Sequence, residues 1–142
     1  MANYALINKV TSSANSTTNI LYGVNLSKVN GCITTGTTAV FTFFDDGGEA
    51  NSITFTVTGG TPASSDDFII SNDAAGEKMK NVKRIVDWFS GLVSDSINGG
   101  SMHNKVWGAD SDTGLDQAAI TAAAGLTFGG ATTEPLVSIA VA

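Results

Sequence analysis

Between residues 38 and 58 the chain reads Thr38-Ala39-Val40-Phe41-Thr42-Phe43-Phe44, then Asp45-Asp46-Gly47-Gly48-Glu49, then, two residues on, Ser52-Ile53-Thr54-Phe55-Thr56-Val57-Thr58. In the first run Ala39, Phe41 and Phe43 alternate with Val40, Thr42 and Phe44, which is the period-two signature of a strand. In the second run Ile53, Phe55 and Val57 share one face and the other face carries hydroxyls only. Two such runs joined by an Asp/Gly-rich connection predict an antiparallel hairpin whose loop is longer than the two-residue type. Gly59-Gly60-Thr61-Pro62 closes the unit.

The pattern then changes to period 3.6. Met79, Val82, Ile85, Val86, Phe89, Leu92, Val93 and Ile97 fall on one side of a helix over 74–98, with Trp88 at the border and Lys80, Lys83, Arg84, Asp87, Ser90 and Ser94 opposite. Asp73 serves as its cap with Glu77 in the first turn, and Asn98-Gly99-Gly100 stops it. Gly91 costs about 1 kcal/mol against Ala inside a helix, so it is expected to admit a neighbouring backbone.

Outside this hairpin and helix, Tyr4 to Val10 alternates as a strand, with Tyr4, Leu6, Asn8 and Val10 on one face and Ala5, Ile7 and Lys9 on the other. The run 11–19 has no periodicity and reads as a flexible arm. Ile20, Tyr22, Val24 and Leu26 predict a second strand reaching Val29, with Asn30-Gly31 as a turn. Ser101–Trp107 reads as a strand, Asp116–Ala124 as a short Ala-rich helix ended by Gly125, and Leu136–Ala142 as a C-terminal strand apolar on both faces. Such a strand belongs in the middle of its own sheet or against an edge strand of a neighbour.

Composition narrows the function. The chain has 142 residues and a net charge of −6, and only 14% of its residues are charged. That suits one domain, 1–142, with a core of its own and no need of staples. The acidic balance argues against nucleic acid as a partner. No apolar run approaches the ~18 residues of a membrane span. Met1-Ala2-Asn3-Tyr4 has neither a basic nor an apolar leader region, so a secretion signal is not expected. The single Cys, Cys32, reads as a small buried hydrophobe.

Catalytic chemistry finds little material. His103 is the one imidazole, and no Ser sits in a nucleophile elbow, so no catalytic residue and no cofactor is assigned. Asp110, Asp112 and Asp116 alternate around Gly114 and offer hard oxygens to Ca²⁺, though Thr121 stands where the bidentate Glu of such a loop belongs. A capped polar turn is the simpler account of the same residues. Lys78, Lys80, Lys83 and Arg84 gather near the start of the long helix, either as a solvated face or as a contact for an acidic patch on another copy. With Leu136, Val137, Ile139 and Val141 of the terminal strand, they are the interface candidates.

The expected fold is α+β, with antiparallel strands and a prominent hairpin packed on one long amphipathic helix, plus a short second helix. The Thr/Ser/Gly-rich hairpin Thr37–Gly60, the single long helix after it and the apolar strand Leu136–Ala142 resemble the small structural proteins of tailed-phage virions. That resemblance implies a non-enzymatic, symmetric, repeated component made in the host cytoplasm and built into a virion, either decorating the capsid or tail-tube-like. Its partners would be copies of itself and other virion proteins such as the major capsid protein. It carries no functional residue with it. The alternative is a Ca²⁺-dependent binding module using the Asp110–Asp116 loop.

Overall fold

The computed structural model describes residues 3–9, 21–45, 47–58, 74–99, 105–127 and 135–142, with the side chains of the long helix described over 79–96. The arm at 11–19, the Asp73 cap, His103 and the side chains of Lys78 and Ile97 lie outside the described residues. Among the described residues, seven strands and two α-helices run in the order β1 (Tyr4–Asn8), β2 (Leu21–Asn25), β3 (Val29–Thr34), β4 (Thr38–Phe44), β5 (Ala50–Val57), α1 (Ala74–Gly99), β6 (Val106–Trp107), α2 (Gln117–Ala124) and β7 (Leu136–Val141). They form a three-stranded sheet, β2-β1-β6, and a four-stranded antiparallel sheet, β3-β4-β5-β7. The fold is α+β.

β4 and β5 are the hairpin legible in the sequence, in register from Thr38 opposite Thr56 to Phe44 opposite Ala50. Its turn closes when the Asp45 carbonyl accepts from Gly48 N at 3.0 Å and Asp45 N donates to the Glu49 carbonyl at 2.9 Å. Gly48 sits at φ +84°, a left-handed conformation that glycine adopts without steric cost. Ala39, Phe41, Phe43, Ile53, Phe55 and Val57 are all buried on one face of the pair.

α1 lies on that face. Val82, Ile85, Phe89 and Leu92 are buried, and the Phe89 ring packs at a tilt against Phe41, with centroids 4.4 Å apart, and against Phe55 at 5.6 Å. Trp88 meets Phe55 edge-on at 6.1 Å. Burying a ring such as Phe89 contributes roughly 1.5–3 kcal/mol. Ala5, Ile7, Val24 and Leu26 bring the smaller sheet into the same core.

Several expectations are corrected. The second strand ends at Asn25, not Val29, because the Asn25 side chain accepts from Ser27 N at 3.1 Å and Ser27 Oγ at 2.6 Å and turns Leu26–Lys28 into a 3₁₀ turn. Asn30-Gly31 is then no turn but a bulge inside β3. There a Cβ on residue 31 would stand 2.8 Å from Thr42 Oγ1. Cys32 is exposed on β3 and not buried; partial desolvation against the sheet raises its thiol pKa. Gly91 admits no backbone, since nothing lies within 4 Å of a Cβ placed there. Met79 is exposed instead of joining the apolar stripe. The C-terminal strand is not central: among the described residues β7 is an edge of the sheet, hydrogen-bonded to β5 alone.

Candidate interaction surface

Two buried asparagines tie the elements together, and neither was flagged by periodicity. Asn81, fully buried on α1, donates through Nδ2 to the carbonyls of Thr58 (3.0 Å) and Thr127 (2.8 Å). Its Oδ1 accepts from Thr127 N (3.2 Å) and from Arg84 Nη1 (2.8 Å). Asn3 donates to the Ser96 carbonyl at 3.3 Å and accepts from Lys105 N at 2.7 Å, which joins β1 to the end of α1 and to the approach to β6. The signal for Asn81 was its place four residues before Ile85, on the apolar side of the helix.

Of the basic residues at the start of α1, the three with described side chains do not act as one face. Arg84 turns to Asn81 and to Thr127 Oγ1 at 3.0 Å, so it belongs to the internal network. Lys83 pairs with Asp87 at 3.1 Å on the surface, and Lys80 is half-buried. The chain enters and leaves the acidic turn through Gly108 (φ +89°) and Gly114 (φ +65°). Leu115 then returns to β1, donating to the Leu6 carbonyl at 2.8 Å. Asp116 caps α2, accepting from Ala119 N at 2.8 Å and from Thr113 Oγ1 at 3.1 Å. Asp110 and Asp112 are exposed, and among the described residues no three His, Cys, Asp or Glu side chains converge as a metal site.

Of the terminal strand, Leu136 and Ile139 are fully buried in this chain's own core, while Val137 and Val141 are half-buried. Gln117 Nε2 donates to the Leu136 carbonyl at 2.6 Å, so the N-terminal end of α2 sits at the start of β7.

A cleft of about 360 Å³ opens beside Tyr4, Gly23, Asn25, Phe43, Phe44 and Asp45. Its polar groups are engaged within the fold. The Asp45 carboxylate accepts from Glu49 N at 2.8 Å and from Asn51 Nδ2 at 3.1 Å, and Asn25 holds Ser27. The Glu49 amide is the main reason the Asp45 carboxyl titrates below its ordinary range, against a smaller opposing effect of burial. A carboxylate held in this way is a poor proton acceptor.

The surface that stands out is the β3 side of the four-stranded sheet. Ile33 is 66% exposed on the edge strand, on the sheet face turned away from α1; on the α1 side Met79, 63% exposed, lines a groove of about 240 Å³ with Thr34, Thr35, Val82, Lys83 and Val86. The sheet face turned away from α1 carries Ile33, Val40, Thr42, Thr54, Thr56, Ser138 and Ala140, and no charge among the described residues. Sheets that must stay apart set charges, Pro or bulges on their edges. Apart from the bulge at its start, β3 has none of these. No protein-family model, curated protein or solved structure matches the chain significantly.

Proposed function

We propose that this chain is a non-catalytic structural subunit that associates with copies of itself, and that its place is in a virion, on the capsid or in a tube-like part of the tail. The observation that carries self-association is the uncharged β3 edge, with Ile33 exposed on one face of it and Met79 exposed on the α1 side. A sheet edge with open N–H and C=O groups and apolar neighbours is a template for another strand. Burying it against a like surface satisfies the backbone and removes apolar area together. The virion half of the reading rests on the resemblance of the Thr-rich hairpin, long helix and apolar terminal strand to small tailed-phage structural proteins. The cleft beside Asp45 supplies no free base or nucleophile, which favours assembly over turnover. Against the Ca²⁺ reading, both carboxylate oxygens of Asp116 are engaged within the fold, one capping α2 and the other accepting from Thr113 Oγ1. No helix among the described residues is long and apolar enough to cross a membrane.

Light scattering on the purified protein, with negative-stain imaging of the same fractions, tests the reading. A defined multiple of 14.5 kDa, seen as rings, tubes or closed particles, supports it. A monomer at every concentration overturns it.

A further inference from the structure

We propose that copies join head to tail, the β3 edge of one pairing antiparallel with the β7 edge of the next. This rests on the self-association proposed above and names its interface.

β3 and β7 are the two ends of one antiparallel sheet, each six residues long and neither carrying a charge. The hydrogen bonds fix which backbone groups face outward. Thr35 N donates to the Thr38 carbonyl at 2.9 Å, so the antiparallel alternation binds Ile33 to Val40 and turns the backbone of Cys32 and Thr34 out. At the other end Ser52 and Ala142 exchange both bonds at 2.9 Å, which binds Thr54 to Ala140 and turns Ile139 and Val141 out.

Cys32 lies opposite Phe41 and Ile139 opposite Phe55, so both outward sets carry side chains on the α1 side of the sheet. Pairing Cys32 with Ile139 of the next copy therefore continues the pleat without inverting a face. It sets Ile33 directly opposite Ser138.

Direction follows from the even strand number. With four antiparallel strands the two edges run in opposite senses, so copies in the same orientation meet as an antiparallel pair. Charge is compatible. The Thr34 end of β3 lies beside Lys83, itself paired with Asp87, in the groove, and an antiparallel neighbour brings the Leu136 end of its β7 there. That end is held by Gln117, next to Asp116 and after the Asp110–Asp112 turn, and no basic residue occurs between Gly108 and Thr127. Two-fold pairing through β3 alone would leave both β7 edges open. The Leu136 carbonyl is already bound by Gln117 and a bulge interrupts β7 at Val137, so head-to-tail contact engages the remaining outward groups of β7, at Ile139 and Val141, with the β3 edge and propagates to a ring or filament.

Directed cross-linking tests it in a Cys32→Ser background. One variant carries Ile33→Cys and a second Ser138→Cys. Positions 33 and 138 would be a non-hydrogen-bonded pair, with Cα atoms about 4.5 Å apart, within disulfide reach. Each variant is first required to keep the parent melting temperature. Oxidised alone, each is expected to stay unlinked; mixed, they are expected to give a disulfide dimer and nothing larger. A chain carrying both substitutions is expected to give a ladder beyond the dimer. Self-linking of the Ile33→Cys variant, or oligomers by light scattering with no link in the mixture, overturns the head-to-tail interface and leaves self-association standing. A monomer by light scattering overturns both.

Discussion

Replacing Asn81 by Ala should be among the most damaging single changes outside the aromatic core. Asn81 is fully buried and makes four hydrogen bonds, to the Thr58 carbonyl, to both backbone groups of Thr127 and to Arg84. A neutral intramolecular hydrogen bond contributes about 0.5–1.5 kcal/mol net and one to a charged group about 1.5–3 kcal/mol, so three of the first and the one to Arg84 sum to roughly 3–7 kcal/mol. Thr127 is exposed and Arg84 half-buried, so water can reach part of the site after truncation and the lower end of that range applies. The expected loss is about 3 kcal/mol, a drop in melting temperature of roughly 10 °C for a chain of this size. Urea unfolding followed by far-UV circular dichroism reads it, with an unchanged m-value showing that the native fold persists. Lys83→Ala is the control on the same helix; its exposed pair with Asp87 predicts a change of no more than about 0.5 kcal/mol. Arg84→Ala should cost less than Asn81→Ala, and the double variant should lose less than the sum, because the two residues share one network. A loss below about 1 kcal/mol for Asn81→Ala, or strict additivity with Arg84→Ala, would refute the claim that Asn81 joins the end of β5, α1 and the exit from α2.

The same substitution should act with opposite sign at two glycines. Gly91→Ala fills open space on an exposed helix surface and should stabilise by about 1 kcal/mol. Gly114→Ala meets φ +65° and a Cβ 2.9 Å from the Leu6 carbonyl, and should destabilise by at least about 1–2 kcal/mol in the same melts. Asp116→Ala removes the α2 cap and should cost about 1 kcal/mol, while Asp116→Asn should restore most of it. For Asp45 the folded pKa lies below the unfolded one. Its contribution is therefore complete above the unfolded value and is lost as pH falls through the folded one. Melting temperatures taken from neutral to strongly acid pH should fall less steeply at the acid end for Asp45→Asn than for the parent. An identical acid limb would contradict the turn geometry.

Much of this architecture was legible because two long segments keep a clean period. The hairpin alternates over seven or more residues on each arm, and α1 holds its apolar stripe from Val82 to Leu92. β3 was missed because its bulge at Asn30-Gly31 breaks the alternation, and because a local Asn25–Ser27 contact ends β2 early. The run Ile33-Thr34-Thr35-Gly36-Thr37-Thr38, β-branched on both sides of one glycine, was the available hairpin signal. The terminal strand's double apolar face did not distinguish a central strand from an edge whose side chains reach the core beneath α2. Asn81 shows the same limit from the other side. The apolar period passed over it, although it stands four residues before Ile85, and no local pattern names partners 23 and 46 residues away. The interaction surface was half visible. The terminal strand was singled out, whereas Ile33 and the exposure of Met79 depend on where the sheet ends.

Self-association through the sheet edge is tested most directly by sedimentation velocity on the parent chain beside an Ile33→Lys variant. Ile33 is exposed, so the charge is tolerated by the fold while blocking the edge. The parent is expected to sediment as a multiple of 14.5 kDa and the variant, with an unchanged melting temperature, as the single chain. A parent that sediments as one 14.5 kDa species throughout, or a variant that assembles as the parent does, would contradict the account.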